Sequence, residues 1–396
     1  MSHELVGFSE AALEVPRELI GDGLTSRRCT DMNDPLMLQS LILEHEGQRA
    51  AIITVDLLAI DFEEADEIRH RLATLGFDPA NIMIAASHTH SGPPSIDFGF
   101  VKKSKELGTE LIEKAVQSAR QAVERLSRVS VRAGSTEFPH NANRRQRNWL
   151  GRTTLGVNLD GPVDHQLNYL LFETANGRIL LLCYGCHPVI NKKTFVASAD
   201  YVYGIRDAAR LAGIKTAMFL NGALGDVNPY DRERNLPLGG TGVKEALDFG
   251  SRMTGEVLTS LATRSRNSNL RLASTSAALE VILPKLEGGA VNRKLLVQAF
   301  AVAGSVLVAF PGEIFAETGL ALRKRSLTDS LAVVSCANGY VGYLAPEAEY
   351  ARPGYEVKYS PRVFGYRVPR GTAEAFQGVG ARLIEEVVGH RYPVSY

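Results

Sequence analysis

The sequence predicts an α/β (or α+β) fold: a mixed β-sheet core flanked by helices, with a metal site at strand C-terminal ends. Short apolar runs alternate with amphipathic stretches of helical period along the whole chain. Some runs are spaced as hairpins and others are separated by helix-length segments, so the sheet needs both antiparallel and parallel neighbours. Five of the runs end in polar, turn-rich clusters: Ser87-His88-Thr89-His90, Cys186-His187-Pro188, Asn221 to Pro229, Pro311-Gly312-Glu313, and Asn338 to Tyr343. In open α/β sheets ligands bind beyond the carboxyl ends of strands, where loops carry the chemistry on a rigid base.

Taken in order, Met37–Glu44 and Ala50–Asp56 read as two strands around Glu46-Gly47-Gln48. A helix over 62–75 stops at Gly76, a usual C-terminal signal. The strand from Ile82 runs into the two histidines, and an amphipathic helix follows over 102–128. A strand at 129–136 leads to a polar loop, Phe138 to Arg147. A hairpin then pairs Leu167–Thr174 with Arg178–Cys186, with Asn176-Gly177 as the tight turn. Helix 202–213, strand 216–221, helix 241–263 and strand 270–284 come next. Ser305–Phe310 is a buried strand, and Pro311-Gly312-Glu313 starts a helix. Strand 331–335, a Gly/Pro/Tyr-rich loop over 336–357 and a helix over 371–388 close the chain. No repeat, low-complexity tract or linker interrupts it, so one domain is expected.

Composition excludes several classes. Apolar residues make up 45% and charged residues 22%, as in globular enzymes. Lys+Arg and Asp+Glu are both 44, so no global field favours nucleic acid or an anionic membrane. No apolar run approaches the roughly 20 residues that span a bilayer. The N-terminus lacks a basic region followed by an apolar one, so a cytoplasmic location is expected, with a small-molecule substrate and no membrane insertion. Four cysteines in 396 residues do not make a disulfide framework.

The chemistry starts at His88-Thr89-His90. In extended backbone, residues two apart face the same way, so both imidazoles project from the strand end, and Ser91-Gly92-Pro93-Pro94 then forces a turn. Neutral imidazole is the commonest nitrogen ligand of a divalent metal. After His187 the sequence holds only His390, which rules out an amidohydrolase barrel; the longer histidine run of a metallo-β-lactamase is absent too. Oxygen ligands must therefore complete any site. Cys183-Tyr184-Gly185-Cys186-His187 matches the c-type haem attachment pattern, but both cysteines lie in or beside an apolar strand, which favours a structural, buried role. Read alone, Glu313 is a first-turn carboxylate favoured by a helix dipole, and Asp226 and Asn228 are turn formers.

Together these stretches resemble the catalytic domain of the neutral (non-lysosomal) ceramidase family. The matching motifs are Ser87 to Pro93, Asn143-Arg144, Gly225-Asp226-Val227-Asn228-Pro229, Pro311-Gly312-Glu313, and Asn338 to Tyr343 followed by Tyr355-Glu356. The resemblance implies Zn2+ held by His88, His187, Glu313 and Tyr343, with His90, Arg144 and Tyr355 around a scissile carbonyl. It implies a single catalytic domain over 1–396, without the family's C-terminal immunoglobulin-like domain. The family's serine in the Gly-Asp-Val-Ser-Pro turn is Asn228 here, which can hydrogen-bond a carbonyl or water but cannot act as a nucleophile. The function expected is zinc-dependent cleavage of an amide bond in a soluble N-acyl or cyclic amide by metal-activated water. Esterase or lactonase activity, true ceramidase activity and a non-catalytic metal-stabilised scaffold are the alternatives.

Overall fold

The computed structural model describes residues 4–20, 26–97, 99, 101–263, 266–326, 328 and 330–389. Its first strands are β1 (Glu4–Ala12), β2 (Met37–His45), β3 (Gln48–Val55), β4 (Ile82–Ala86) and β5 (Ser127–Glu137). They continue as β6 (Asn141–Arg147), β7 (Thr153–Asn158), β8 (Gln166–Thr174), β9 (Gly177–Tyr184), β10 (Thr216–Asn221) and β11 (Val227–Asp231). The C-terminal part contributes β12 (Leu272–Pro284), β13 (Ala290–Val302), β14 (Ser305–Ala309), β15 (Glu313–Ile314), β16 (Leu331–Val334) and β17 (Tyr343–Leu344). The longer helices are α1 (Phe62–Ala73), α2 (Lys105–Glu124), α3 (Tyr201–Leu211), α4 (Val243–Thr263), α5 (Ala316–Arg325) and α6 (Thr372–Gly389).

The larger sheet runs β10-β9-β8-β5-β1-β2-β3-β4. Its centre is antiparallel, while β3/β4 and β9/β10 are parallel pairs joined by helical crossovers. A second sheet runs β12-β13-β14-β16, with β14 and β16 parallel across α5. The mixed sheet expected from the sequence is thus two sheets. They pack face to face through Phe8, Ile52, Met83, Phe172 and Met218 of the first and Phe300, Leu307 and Val334 of the second. Helices α1 to α4 cover the outer face of the first sheet, and α6 covers that of the second. Burial on both faces explains why the strands read as unbroken apolar runs.

Most expected elements lie within a few residues of their predicted bounds; two do not, and one turn is shifted by a residue. The polar loop at 138–147 is largely strand β6, because its backbone pairs with β7 and β11. Local sequence does not show this, since its side chains serve a polar site and break the apolar alternation. Glu313 does not start a helix: it lies in β15, in parallel register with Tyr343, and α5 begins only at Ala316. In the hairpin β8/β9, Thr174 pairs with Gly177, so the two turn residues are Ala175 and Asn176. Gly177, at φ 117°, opens the second strand.

No helix among the described residues is long and apolar enough to cross a membrane.

Candidate metal centre

The parallel strands of both sheets direct their C-terminal ends to one place, and Asn221 at the end of β10 ties them together. Its Nδ2 donates to Ser87 O at 2.9 Å, its Oδ1 accepts from Cys186 N at 3.3 Å, and its carbonyl accepts from Ser335 N at 2.8 Å. One fully buried residue, through its side chain and its carbonyl, thereby joins the segments carrying His88, His187 and Tyr340. Gly225 permits a further close approach. A Cβ there would lie 2.9 Å from Glu313 O, and its N–H donates to Ile314 O at 2.8 Å.

His88 is two residues beyond the end of β4, and its backbone is left-handed, at φ 70°. The extended alternation expected for His88 and His90 is therefore not what aims them. For a residue with a Cβ such a conformation costs roughly 1–3 kcal/mol and persists only where surrounding contacts impose it. Here His88 N donates to Leu57 O at 2.9 Å and its Nδ1 meets Leu58 O at 2.7 Å. The rings still converge. Centroid separations are 5.0 Å for His88–His90, 5.1 Å for His88–His187 and 5.8 Å for His90–His187. One ring nitrogen from each lies within 4.8 Å of the other two, so the three form a group able to hold a metal ion.

Hydrogen-bond partners assign the tautomers. Nδ1 of His88 faces the carbonyl of Leu58, and Nδ1 of His187 faces that of Val227 at 3.0 Å. A carbonyl only accepts, so each Nδ1 carries the proton and each Nε2 presents a lone pair. Those lone pairs face Glu313: His88 Nε2 lies 3.4 Å from Oε1, and His187 Nε2 lies 3.0 Å from Oε2. A lone pair against a carboxylate oxygen is repulsive. Nε2 of His88, Nε2 of His90 and Oε2 of Glu313 are also buried without a hydrogen-bond partner. A divalent cation among them converts the repulsion into coordination, and the mixed imidazole and carboxylate donors suit one. The carbonyls at Nδ1 are the outer contacts that hold ligating histidines in register.

Glu313 accepts a hydrogen bond from Tyr340 Oη on Oε1. Burial pushes its carboxyl pKa up, against the lowering effect of His88, Arg144 and Tyr340. Tyr340 is a site residue the sequence reading missed, although it lies in the same Asn338–Tyr343 run as Tyr343. Tyr343 instead packs against Arg144, whose guanidinium lies 5.4 Å from its ring centroid.

Arg144 projects from β6 and is buried. Its Nε donates to Glu356 Oε1 at 2.9 Å, its Nη1 lies 3.1 Å from His187 Nε2, and its Nη2 has no partner. Glu356 also pairs with Arg145. Burial alone would raise the Glu356 carboxyl, but Arg144 and Arg145 outweigh it and hold the pKa below its usual value. Tyr355 opens a π-helical turn, Tyr355–Tyr359, and its ring is 6.0 Å from that of Tyr343. His90 and Tyr355 are half-buried, whereas His88, His187, Glu313 and Arg144 are buried.

Asp226 sits behind the site, accepting from Asn143 Nδ2 at 2.7 Å and Ala316 N at 2.8 Å. Burial raises its pKa to about 6. Asn228 follows Val227, the residue that anchors His187, and its buried Oδ1 has no partner. Cys183 and Cys186 are buried free thiols, as expected, with Cys183 pushed up to about 12 by burial.

The pH behaviour follows from burial. Desolvation pushes His88 down to about 4, against the raising effect of Glu313, and pushes His90 and His187 well below their usual value. The folded rings therefore stay neutral well below pH 6.5, the range in which exposed histidines take up protons. Zinc affinity by calorimetry at pH 5.5 is expected to stay within about tenfold of that at pH 7.5. Competition through the ordinary imidazole range, the expectation for exposed ligands, would show as a much steeper loss. For the metal-free fold the sign is set by depressed folded pKa values. The unfolded chain protonates first, so stability is full above about 6.5 and falls as pH drops towards 4.

No protein-family model matches the chain, and no curated protein does. Solved structures do. The crystal structure of neutral ceramidase from Pseudomonas aeruginosa superposes with a TM-score of 0.78 at 17% identity, covering 100% of this chain and 76% of that one. A structure described as ceramidase complexed with C2 gives 0.78 at 15% identity, covering 100% and 77%. The chain has the neutral-ceramidase fold over all of its length.

Proposed function

We propose that this chain is a zinc-dependent hydrolase that cleaves the amide C–N bond of a small N-acyl or cyclic amide. The observation that carries the reading is the facing of two imidazole lone pairs onto both oxygens of Glu313, beside an arginine with one unpartnered buried donor. His88, His187 and Glu313 would hold the metal, with His90 within reach and Tyr343 beside Glu313 in register. Bound zinc supplies Lewis acidity, polarising a carbonyl and making water nucleophilic near neutral pH.

The chain's own residues do the rest. Arg144 Nη2 donates to the carbonyl oxygen as it gains charge, and Glu356 holds the guanidinium in the orientation that aims it. Tyr355, half-buried beside Tyr343, would donate a second hydrogen bond. His90, whose Nε2 is buried without a protein partner, would be the group that accepts a proton during attack and returns it to the leaving nitrogen. Asn228 Oδ1 accepts from a substrate N–H or orients water.

The deciding experiment is elemental analysis of the purified protein, followed by assay of the zinc-loaded form against acyl amides, lactams, esters and fluorescent ceramide. Amide turnover that chelation removes and zinc restores is expected. Ester cleavage without amide cleavage would overturn the substrate bond proposed. Bound zinc with no turnover on any substrate would favour the scaffold reading.

Asn228→Ser tests the departure from the family's turn. Because Oδ1 has no protein partner to lose, folding stability is expected to change by less than about 1 kcal/mol, with zinc content intact. KM for the amide is expected to rise, since a substrate or water contact is removed. Unchanged KM and kcat would assign Asn228 to the turn alone.

A further inference from the structure

The hairpin β6/β7 ends in an apex unlike the rest of the surface. Its residues are Arg147-Asn148-Trp149-Leu150-Gly151-Arg152. Trp149, the single tryptophan of the chain, is 91% exposed, and Leu150 is 53% exposed. Water-facing indole and isobutyl groups at one turn gain nothing from the fold that presents them.

The turn is built to hold them there. Asn148 Oδ1 accepts from Leu150 N and Arg152 N, both at 3.0 Å. Asn148 N donates to Arg152 O at 3.0 Å, and Gly151 takes the left-handed φ of 71° the turn requires. Two further apolar side chains on the same hairpin and its exit, Leu155 and Leu159, are about half exposed.

Charge at the apex has one sign. Arg147 and Arg152 are exposed, and neither makes an ion pair among the described residues. From Phe138 through Leu159 the sequence contains no aspartate or glutamate; Asp160 is the first. The acids at the hairpin's base, Glu349 and Glu356, are already paired with Arg145, Arg144 and Arg352.

We propose that this apex docks the chain on an anionic phospholipid surface, with Trp149 and Leu150 at headgroup depth and Arg147 and Arg152 on lipid phosphates. Indole has an apolar body and a polar N–H, which suits the membrane–water interface, and juxtaposed arginines add attraction to anionic lipid. A second copy of the chain is a poorer occupant. One aromatic side chain buries about 150–250 Å², well short of the roughly 800 Å² per partner of a stable protein interface. The strand leading to the apex also carries Arg144, so docking fixes how the metal centre faces the surface. The inference does not depend on which bond the centre cleaves.

Trp149 is its own probe. The full chain is titrated with phosphatidylcholine vesicles with and without phosphatidylglycerol, and tryptophan emission is followed. A blue shift with the phosphatidylglycerol vesicles, reversed by salt, is expected. Arg147→Glu/Arg152→Glu is expected to weaken partitioning by at least about tenfold with far-UV circular dichroism unchanged. Leu150→Ser should weaken it by less. Emission that stays red with anionic vesicles would overturn the proposal. So would a blue shift that grows with protein concentration in the absence of lipid, since that is self-association.

Discussion

His187→Ala is expected to remove the bound metal and the activity together. His187 makes the shorter of the two histidine contacts to Glu313, 3.0 Å from Nε2 to Oε2, and its ring is set by the Val227 carbonyl on the opposite nitrogen. Deleting the imidazole leaves Glu313 facing an unfilled buried space and removes one of the two nitrogens whose lone pairs face that carboxylate. A ligand that binds only the folded state stabilises it by about 2.7 kcal/mol when present at a hundred times its Kd. In thermal melts the parent protein is therefore expected to gain stability on zinc addition and lose it with chelator. His187→Ala should show neither response, with turnover at background, and Glu313→Ala should behave alike. Full zinc occupancy with full activity in His187→Ala would sink the assignment, and the melts report that even if no substrate is found.

Arg144→Lys should leave the metal bound while kcat falls by about 10²-fold or more, the size of effect seen when one oxyanion donor is lost. The structure sharpens the reason. Arg144 uses Nε on Glu356 and Nη1 towards His187, leaving Nη2 buried and unpartnered. Three donors in one plane serve three directions, whereas lysine has a point charge on a flexible stem and cannot span them. Arg144 Nη1 also lies 3.1 Å from the His187 lone pair that a metal would take. Zinc affinity in Arg144→Lys is accordingly expected to be equal to or higher than in the parent, measured by competition with a chromophoric chelator. A variant that loses zinc, or one that keeps full kcat, would show that the guanidinium does not serve the substrate.

Much of this molecule was determined locally. The helix α1 stops near Gly76, which adopts φ 84° and was legible from residue type alone, whereas α2, expected from 102, starts only after Ser104, whose side chain accepts from Leu107 N. The apolar strands were legible because both of their faces are buried, and the polar clusters beyond them marked where chemistry must gather. His88, His90, His187 and Glu313 lie in those clusters and Arg144 was named through the family resemblance; the fold brings all five together. What the sequence could not settle depends on partners distant in the chain. Asn143–Arg147 reads as loop but is strand, because β7 and β11 complete its backbone bonding. Glu313 reads as a helix start but is held in extended register by Tyr343, thirty residues later. Two tyrosines three positions apart compete for one carboxylate, and only the packed geometry gives the hydrogen bond to Tyr340. His88 departs furthest from local expectation: its positive φ is unfavourable in isolation and is imposed by the Leu57 and Leu58 carbonyls. Residue identity sets which chemistry is available and roughly where strands end. The directions of lone pairs and donors are set by long-range contacts whose energy exceeds local preference, and those exist only in the folded chain.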